Sequence, residues 1–267
     1  MPRRSSSAPV ARPVRSPDEL RGLVERALAE LELPEELGTL AEPVRYATEG
    51  GKRLRGTICL AVAEAAGGDP EAAAPAACAL ELVQAFSLVH DDLPALDDDR
   101  ERRGRPSVWV RFGEATAVLT GDALLTQGFR LAASYATAAP ARELAVATLG
   151  MIGGQQLDLA GGAAEGTLHR LKTGRLFAAA VGLGVVVAGV PESDQAPWRA
   201  FGEELGPLFQ LVDDLLDEDG SVLTRGADAT RRLADDAARR ALARLEDIDA
   251  DTSVLAEIVH RLAARSA

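Results

Sequence analysis

Ala79-Leu80-Glu81-Leu82-Val83-Gln84-Ala85-Phe86-Ser87-Leu88-Val89-His90-Asp91-Asp92-Leu93-Pro94-Ala95-Leu96-Asp97-Asp98-Asp99 is the stretch on which the reading of this chain turns. An apolar helical run from Ala79 to Val89 leads straight into five carboxylates within nine residues. Two like charges about 4 Å apart repel by roughly 4 kcal/mol at an effective dielectric near 20. Such a cluster is tolerable when it is solvated or when it holds cations. A solvated acidic loop is the plain reading of one run taken alone. Phe209-Gln210-Leu211-Val212-Asp213-Asp214-Leu215-Leu216-Asp217 repeats the pattern at the end of a second apolar helix. Asp213 and Asp217 share a helical face, and Gln210, Asp214 and Asp217 lie on one stripe. An EF-hand does not fit, because the spacing before Gly220 puts Leu215 where the first ligand belongs. HExxH and Cys/His zinc patterns are absent. Two helices that each end in carboxylates suit Mg²⁺, with Mn²⁺ second, bound between facing patches together with a substrate's phosphates.

The rest of the chain agrees with helices. It has 267 residues, 47% of them hydrophobic and only 4% aromatic, and Ala and Leu dominate. Ser16-Pro17-Asp18-Glu19 is a helix start with Ser as N-cap and Pro at N1. Helices are predicted at 17–32, 35–49, 52–66, 70–92, 107–111, 114–135, 139–161, 165–190, 193–219, 227–247 and 251–265. No stretch alternates with period two, so no sheet is expected. The segment 176–190 is apolar nearly all round and belongs at the centre. Residues 1–15, rich in Arg, Ser and Pro, read as a disordered tail ahead of a single helical domain over 16–267.

Charge and cysteine usage exclude several classes. A net charge of -12 argues against nucleic acid as a partner. Cys59 and Cys78 exclude a disulfide scaffold and suit a reducing, cytoplasmic setting. The longest apolar run, Leu176 to Val190, is too short for a membrane span, and the N-terminus lacks the apolar region of a secretory signal. Of the 29 basic residues only Lys52 and Lys172 are lysines. Lys is a mobile point charge that the Arg fork does not replace.

The two acidic elements resemble the aspartate-rich motifs of the trans-polyprenyl diphosphate synthases (polyprenyl synthetase family). Gly50-Gly51-Lys52-Arg53-Leu54-Arg55 resembles the family's GGKRxRP element, with Gly56 in place of its Pro. Arg102-Arg103-Gly104, Gly121-Asp122-Ala123-Leu124-Leu125, Gly153-Gly154-Gln155-Gln156-Leu157-Asp158-Leu159 and Lys172-Thr173-Gly174 resemble its RRG, GDxLL, GGQxLDL and KTG elements, in family order. The resemblance implies an all-α bundle of isoprenoid synthase type around a central cavity, normally a homodimer. It implies Mg²⁺ on Asp91, Asp97 and Asp213, supported by Asp92 and Asp217. It puts isopentenyl diphosphate against Gly51, Lys52, Arg55, Arg103 and Gln84, and the allylic diphosphate against Arg102. Lys172, Thr173 and Gln210 then flank the ionising diphosphate and the allylic cation.

Residues one turn before Asp91, namely Phe86 and Ser87, stand where the resemblance puts the floor under the growing chain. An aromatic there, with the two-residue insertion Pro94-Ala95, implies the fifteen-carbon product, farnesyl diphosphate, with geranylgeranyl diphosphate as runner-up; the plainer reading is that Phe86 packs in the core, since its helical phase lies well off that of Asp91. There are departures. Gln84 stands where short-chain bacterial members often carry His, and Gln donates a hydrogen bond but no charge. After Asp217 a lysine-bearing stretch of the family is missing, and only Gly226-Ala227-Asp228 resembles it. Arg225, Arg231 and Arg232 are candidate substitutes, on a loop expected from Gly220 to Arg232. Two other classes remain. A terpene cyclase needs an (N/D)xx(S/T/G)xxxE motif that the helix before Gly220 lacks, and a non-catalytic partner subunit would be expected to lose its aspartate motifs.

Overall fold

The structure is a computed structural model that describes residues 14–161, 165–218 and 220–266. Residues 1–13 of the expected tail therefore lie outside the described residues. Arg15 is held, since its backbone N and Nη1 both donate to Glu64, at 3.0 and 2.9 Å. Helix α1 (Pro17–Ala29) begins as its sequence predicts. Ser16 Oγ accepts from Glu19 N, and the Glu19 carboxylate accepts from Ser16 N, which closes a capping box. A cap of this kind contributes about 1 kcal/mol.

The predicted helix 35–49 is divided. A 3-10 segment (Glu35–Leu40), kinked within by Gly38 at φ 49°, runs into α2 (Ala41–Thr48). Helix α3 (Leu54–Ala65) starts two residues later than expected, because Gly50, Gly51 and Arg53 all have positive φ. Helix α4 (Pro70–Asp91) is next. Pro75 interrupts its hydrogen-bond ladder, and the Tyr135 hydroxyl bridges the gap by accepting from Ala76 N (3.1 Å) and donating to Ala72 O (2.9 Å). By length and composition α4 could cross a bilayer, but most of it is buried inside the bundle.

The expectation of no sheet is corrected. β1 (Glu101–Arg102) and β2 (Arg105–Pro106) pair antiparallel, with Arg102 opposite Arg105. Arg103 and Gly104, at φ 57° and 72°, make the two-residue turn of a type I′ hairpin. Strands of two residues are too short to show any alternation.

Helices α5 (Val108–Phe112), α6 (Glu114–Ala132) and α7 (Ala139–Ala160) follow. The predicted helix 165–190 is α8 (Glu165–His169), then a π-helical turn (Arg170–Gly174), then α9 (Arg175–Val187). α10 (Ala196–Asp217), α11 (Ser221–Arg225), α12 (Ala227–Glu246) and α13 (Ser253–Ala263) complete the bundle. The expected loop from Gly220 to Arg232 is mostly helix. α9 is central as its composition predicts, and it packs against α3, α4, α7 and α10. Small residues allow that closeness: a Cβ on Gly184 would lie 2.7 Å from the Cys59 carbonyl of α3.

Candidate active site

One cavity of about 1300 Å³ opens among the C-terminal ends of α4, α7 and α10 and the start of α3. α4 delivers Phe86, Ser87 and Asp91 to it, and α10 delivers Gln210, Asp213 and Asp214. The two acidic helices thus face one space. Burial, with the charges of Asp97 and Asp92 adding to it, pushes the Asp91 carboxyl up to about 6 against the pull of Lys172. Burial also raises Asp213, with Asp217 adding to the effect and Lys52 opposing it.

The remaining expected metal ligands are placed differently. Asp92 is 2% exposed and does not line the cavity; its Oδ1 accepts from Arg102 Nε (2.9 Å) and Nη2 (2.5 Å). A buried carboxylate requires such a partner, so Asp92 anchors Arg102 and does not face the cavity as a supporting ligand. Asp97 and Asp217 are exposed and outside the cavity lining, and they act on Asp91 and Asp213 through charge. Among the described residues no three Asp, Glu, His or Cys side chains close around one point. Asp91 and Asp213 each offer hard oxygen donors, and a cation held there would need further oxygens to complete its shell. This donor set fits Mg²⁺, which keeps waters and shares phosphate oxygens.

Cations line the same cavity. Gly51 has φ 93°, and a Cβ there would lie 3.0 Å from Arg103 Cζ, so the glycine lets the guanidinium pack flat on the backbone. Arg103 Nη1 donates to Glu49 O at 3.1 Å. Arg105 fixes the hairpin to α2, since Nη2 donates to Tyr46 O (2.8 Å) and the guanidinium lies 4.1 Å over the Tyr46 ring. The type I′ turn requires the positive φ of Arg103, which also lines the cavity. Arg102 also lines the cavity, with Nη2 shared between Asp92 and Asp99 (2.6 Å). Arg53 is buried beside Glu81 (3.8 Å), whose Oε1 accepts from Gly56 N at 2.9 Å. Lys52, Arg55 and Gln84 line the cavity. Burial lowers the Arg55 pKa to about 10, so it stays charged at neutral pH.

The π turn carries Lys172 and Thr173 to the wall. Single π turns inside helices are frequent at functional sites. This one is held from two sides. A Cβ on Gly154 of α7 would meet Lys172 N at 2.5 Å, and one on Gly206 of α10 would meet Gly174 Cα at 2.5 Å. Lys172 Nζ pairs with Asp158 at 2.6 Å. Thr173 Oγ1 donates to Gln210 Oε1 (3.0 Å), Gln210 Nε2 donates to Asp214 Oδ1 (2.8 Å), and Asp214 Oδ2 accepts from Ser221 N (2.9 Å). Asp158 and Asp214 had no assigned role on sequence grounds. Asp158 belongs to the GGQxLDL element, and Asp214 is four residues after Gln210 on one stripe; both spacings were available signals. Phe86 and Ser87 line the cavity together, and Phe86 meets the His90 ring edge-on at 5.0 Å. Arg225, Arg231 and Arg232 are not among the lining residues.

The polyprenyl synthetase family model matches residues 38–237. Geranylgeranyl diphosphate synthase of Cyanophora paradoxa is 42% identical over 193 residues, which is 66% of this chain and 64% of that protein. Farnesyl diphosphate synthase of Bacillus subtilis is 39% identical over 208 residues, 72% of this chain and 69% of that one. The crystal structure of an FPP/GFPP synthase from Zymomonas mobilis superposes with a TM-score of 0.83 at 31% identity, covering 92% of this chain and 97% of that one. The fold is that of the isoprenoid synthases. The chain belongs to the polyprenyl synthetase family.

Proposed function

We propose that the protein is a Mg²⁺-dependent prenyltransferase that condenses isopentenyl diphosphate with an allylic diphosphate and forms farnesyl diphosphate. One observation carries the reading: Asp91 and Asp213, from two different helices, face a single cavity that Lys52, Arg55, Arg103 and Lys172 also line. Mg²⁺ on Asp91 and Asp213 would neutralise the allylic diphosphate and favour its departure. Lys172, held by Asp158, adds a positive charge where the carbon–oxygen bond breaks. Thr173 and Gln210, bonded to each other, present oxygen lone pairs towards the allylic cation. Lys52, Arg55 and Arg103 hold isopentenyl diphosphate so that its alkene attacks that cation. A proton leaves the adjacent carbon for the released diphosphate, which balances the reaction with no covalent enzyme intermediate.

Phe86 supports the fifteen-carbon product, because a bulky ring on the cavity wall limits the growing chain. The homodimer belongs to the same proposal. Val118 and Leu119 of α6 and Val146, Leu149 and Ile152 of α7 are large apolar side chains left between 42% and 70% exposed. A second copy of this face would cover them. The buried free thiols of Cys59 and Cys78 suit the cytoplasm. The test is incubation of the full chain with Mg²⁺, isopentenyl diphosphate and each allylic diphosphate in turn. A fifteen-carbon product that disappears in excess EDTA is expected. Undiminished turnover in EDTA would remove the metal role, and no product from any allylic diphosphate would leave the partner-subunit reading.

A further inference from the structure

Most cations around the cavity are already engaged by the protein. Arg102 is paired with Asp92 and Asp99, Arg53 with Glu81, Lys172 with Asp158, and Arg103 donates to a backbone carbonyl. Arg55 differs. Among the described residues it forms no ion pair or hydrogen bond, and its Nε is buried without a partner. Its guanidinium carbon lies 4.3 Å from the centre of the Phe177 ring and 5.6 Å from that of Phe209. The two rings are 4.8 Å apart and tilted by 38°, so they form one aromatic bed. Phe209 lines the cavity, whereas Phe177 is fully buried and lies behind Arg55.

We propose that Phe177 is a positioning residue for Arg55, holding its guanidinium as an unneutralised cation for the diphosphate of the homoallylic substrate. The assignment rests on the prenyltransferase reading. An aromatic face attracts a cation through its quadrupole but takes up none of the N–H donors. A carboxylate in the same place would neutralise the charge and occupy two donors. Glu81 and Asp213 are the carboxylates whose charges act on Arg55. Without the ring, the guanidinium is free to turn towards them, and its attraction for an incoming anion falls.

The experiment replaces Phe177 with phenylalanines carrying one, two and three ring fluorines, which drain the negative ring face at nearly constant shape; Phe177→Leu completes the series. The KM for isopentenyl diphosphate is expected to rise stepwise, reaching roughly 3- to 30-fold. kcat and the KM for the allylic substrate stay near wild type. A flat KM across the fluorinated series overturns the proposal, even if Phe177→Leu melts early, because packing alone would give that pattern. Failure of the parent reading shows separately, as a wild type that forms no product. The same series is then read by calorimetry with inorganic diphosphate. A Kd that climbs with fluorination supports the role, and a constant Kd overturns it.

Discussion

Gly153 and Gly154 are neighbours in α7, yet alanine should act on them in opposite directions. A Cβ on Gly153 meets nothing within 4 Å, while one on Gly154 would lie 2.5 Å from Lys172 N, 2.8 Å from Lys172 Cα and 2.9 Å from Leu171 C. Ordinary contact begins at 3.4 Å, so the π turn and α7 must separate by about 0.9 Å. The atoms met are backbone, which no rotamer change can move aside. Overpacking of this kind costs about 1–3 kcal/mol, and the better helix propensity of Ala returns about 1 kcal/mol. Gly153→Ala keeps only the favourable part. The propensity gain is common to both, so the two variants should differ by the overpacking cost, about 1–3 kcal/mol, which for a chain of this size separates their melting temperatures by roughly 2–12 °C. The same displacement carries Lys172 and Thr173 about 1 Å from their places, which can cost on the order of 100-fold in turnover. Thermal melts and prenyl transfer assays on both variants check this. Gly154→Ala melting with Gly153→Ala and turning over at the wild-type rate would refute the reasoning.

Asp91→Asn should stabilise the metal-free protein at pH 8 while abolishing turnover. The folded carboxyl titrates at about 6 against a model-compound value of 3.8, so the fold disfavours its charged form. That penalty is complete above pH 6, shrinks as pH falls, and vanishes below 3.8. The full shift corresponds to about 3 kcal/mol; discounted for partial exposure, the gain is about 1–2 kcal/mol. Melts in EDTA at pH 8 and pH 4.5 should show it in full at the first and about a third of it at the second, and equal gains at both would contradict the assignment. Tyr135→Phe should destabilise by about 1–3 kcal/mol, because Ala76 N and Ala72 O lose the hydroxyl between them; an unchanged denaturation midpoint would show that α4 closes its own ladder at Pro75. Phe86→Ala should lengthen the product by removing the ring from the cavity wall. Identical product distributions by chromatography would remove Phe86 as the floor.

The helix starts were legible because a capping box is local chemistry, written in four consecutive residues from Ser16 to Glu19. The acidic ends of α4 and α10 were legible as a pair for a similar reason: each follows a long apolar run. What escaped the sequence depends on partners distant in the chain. Asp91 and Asp92 are chemically identical neighbours, and only the burial of one against Arg102 sends them to different tasks. The Arg170–Gly174 segment has an ordinary helical pattern. Close contact with glycines of α7 and α10 accompanies its π form, and neither helix is adjacent in sequence. The Arg102–Arg105 hairpin is visible only as an Arg-Gly pair able to take positive φ.

The surroundings of Gly56 constrain how this chain can be engineered. Its N–H is the donor that holds buried Glu81, and a Cβ there would lie 2.9 Å from Val24 Cγ1. The proline usual at this place in the family has no N–H and carries a ring. A proline placed here would leave one oxygen of Glu81 without its donor and press on α1. Back-to-consensus substitution is a common route to thermostability, but at position 56 it would work against the surroundings this chain has. Proline fits there only with a smaller side chain at position 24 and a residue at position 81 that needs no such donor, so the three positions have to be engineered together.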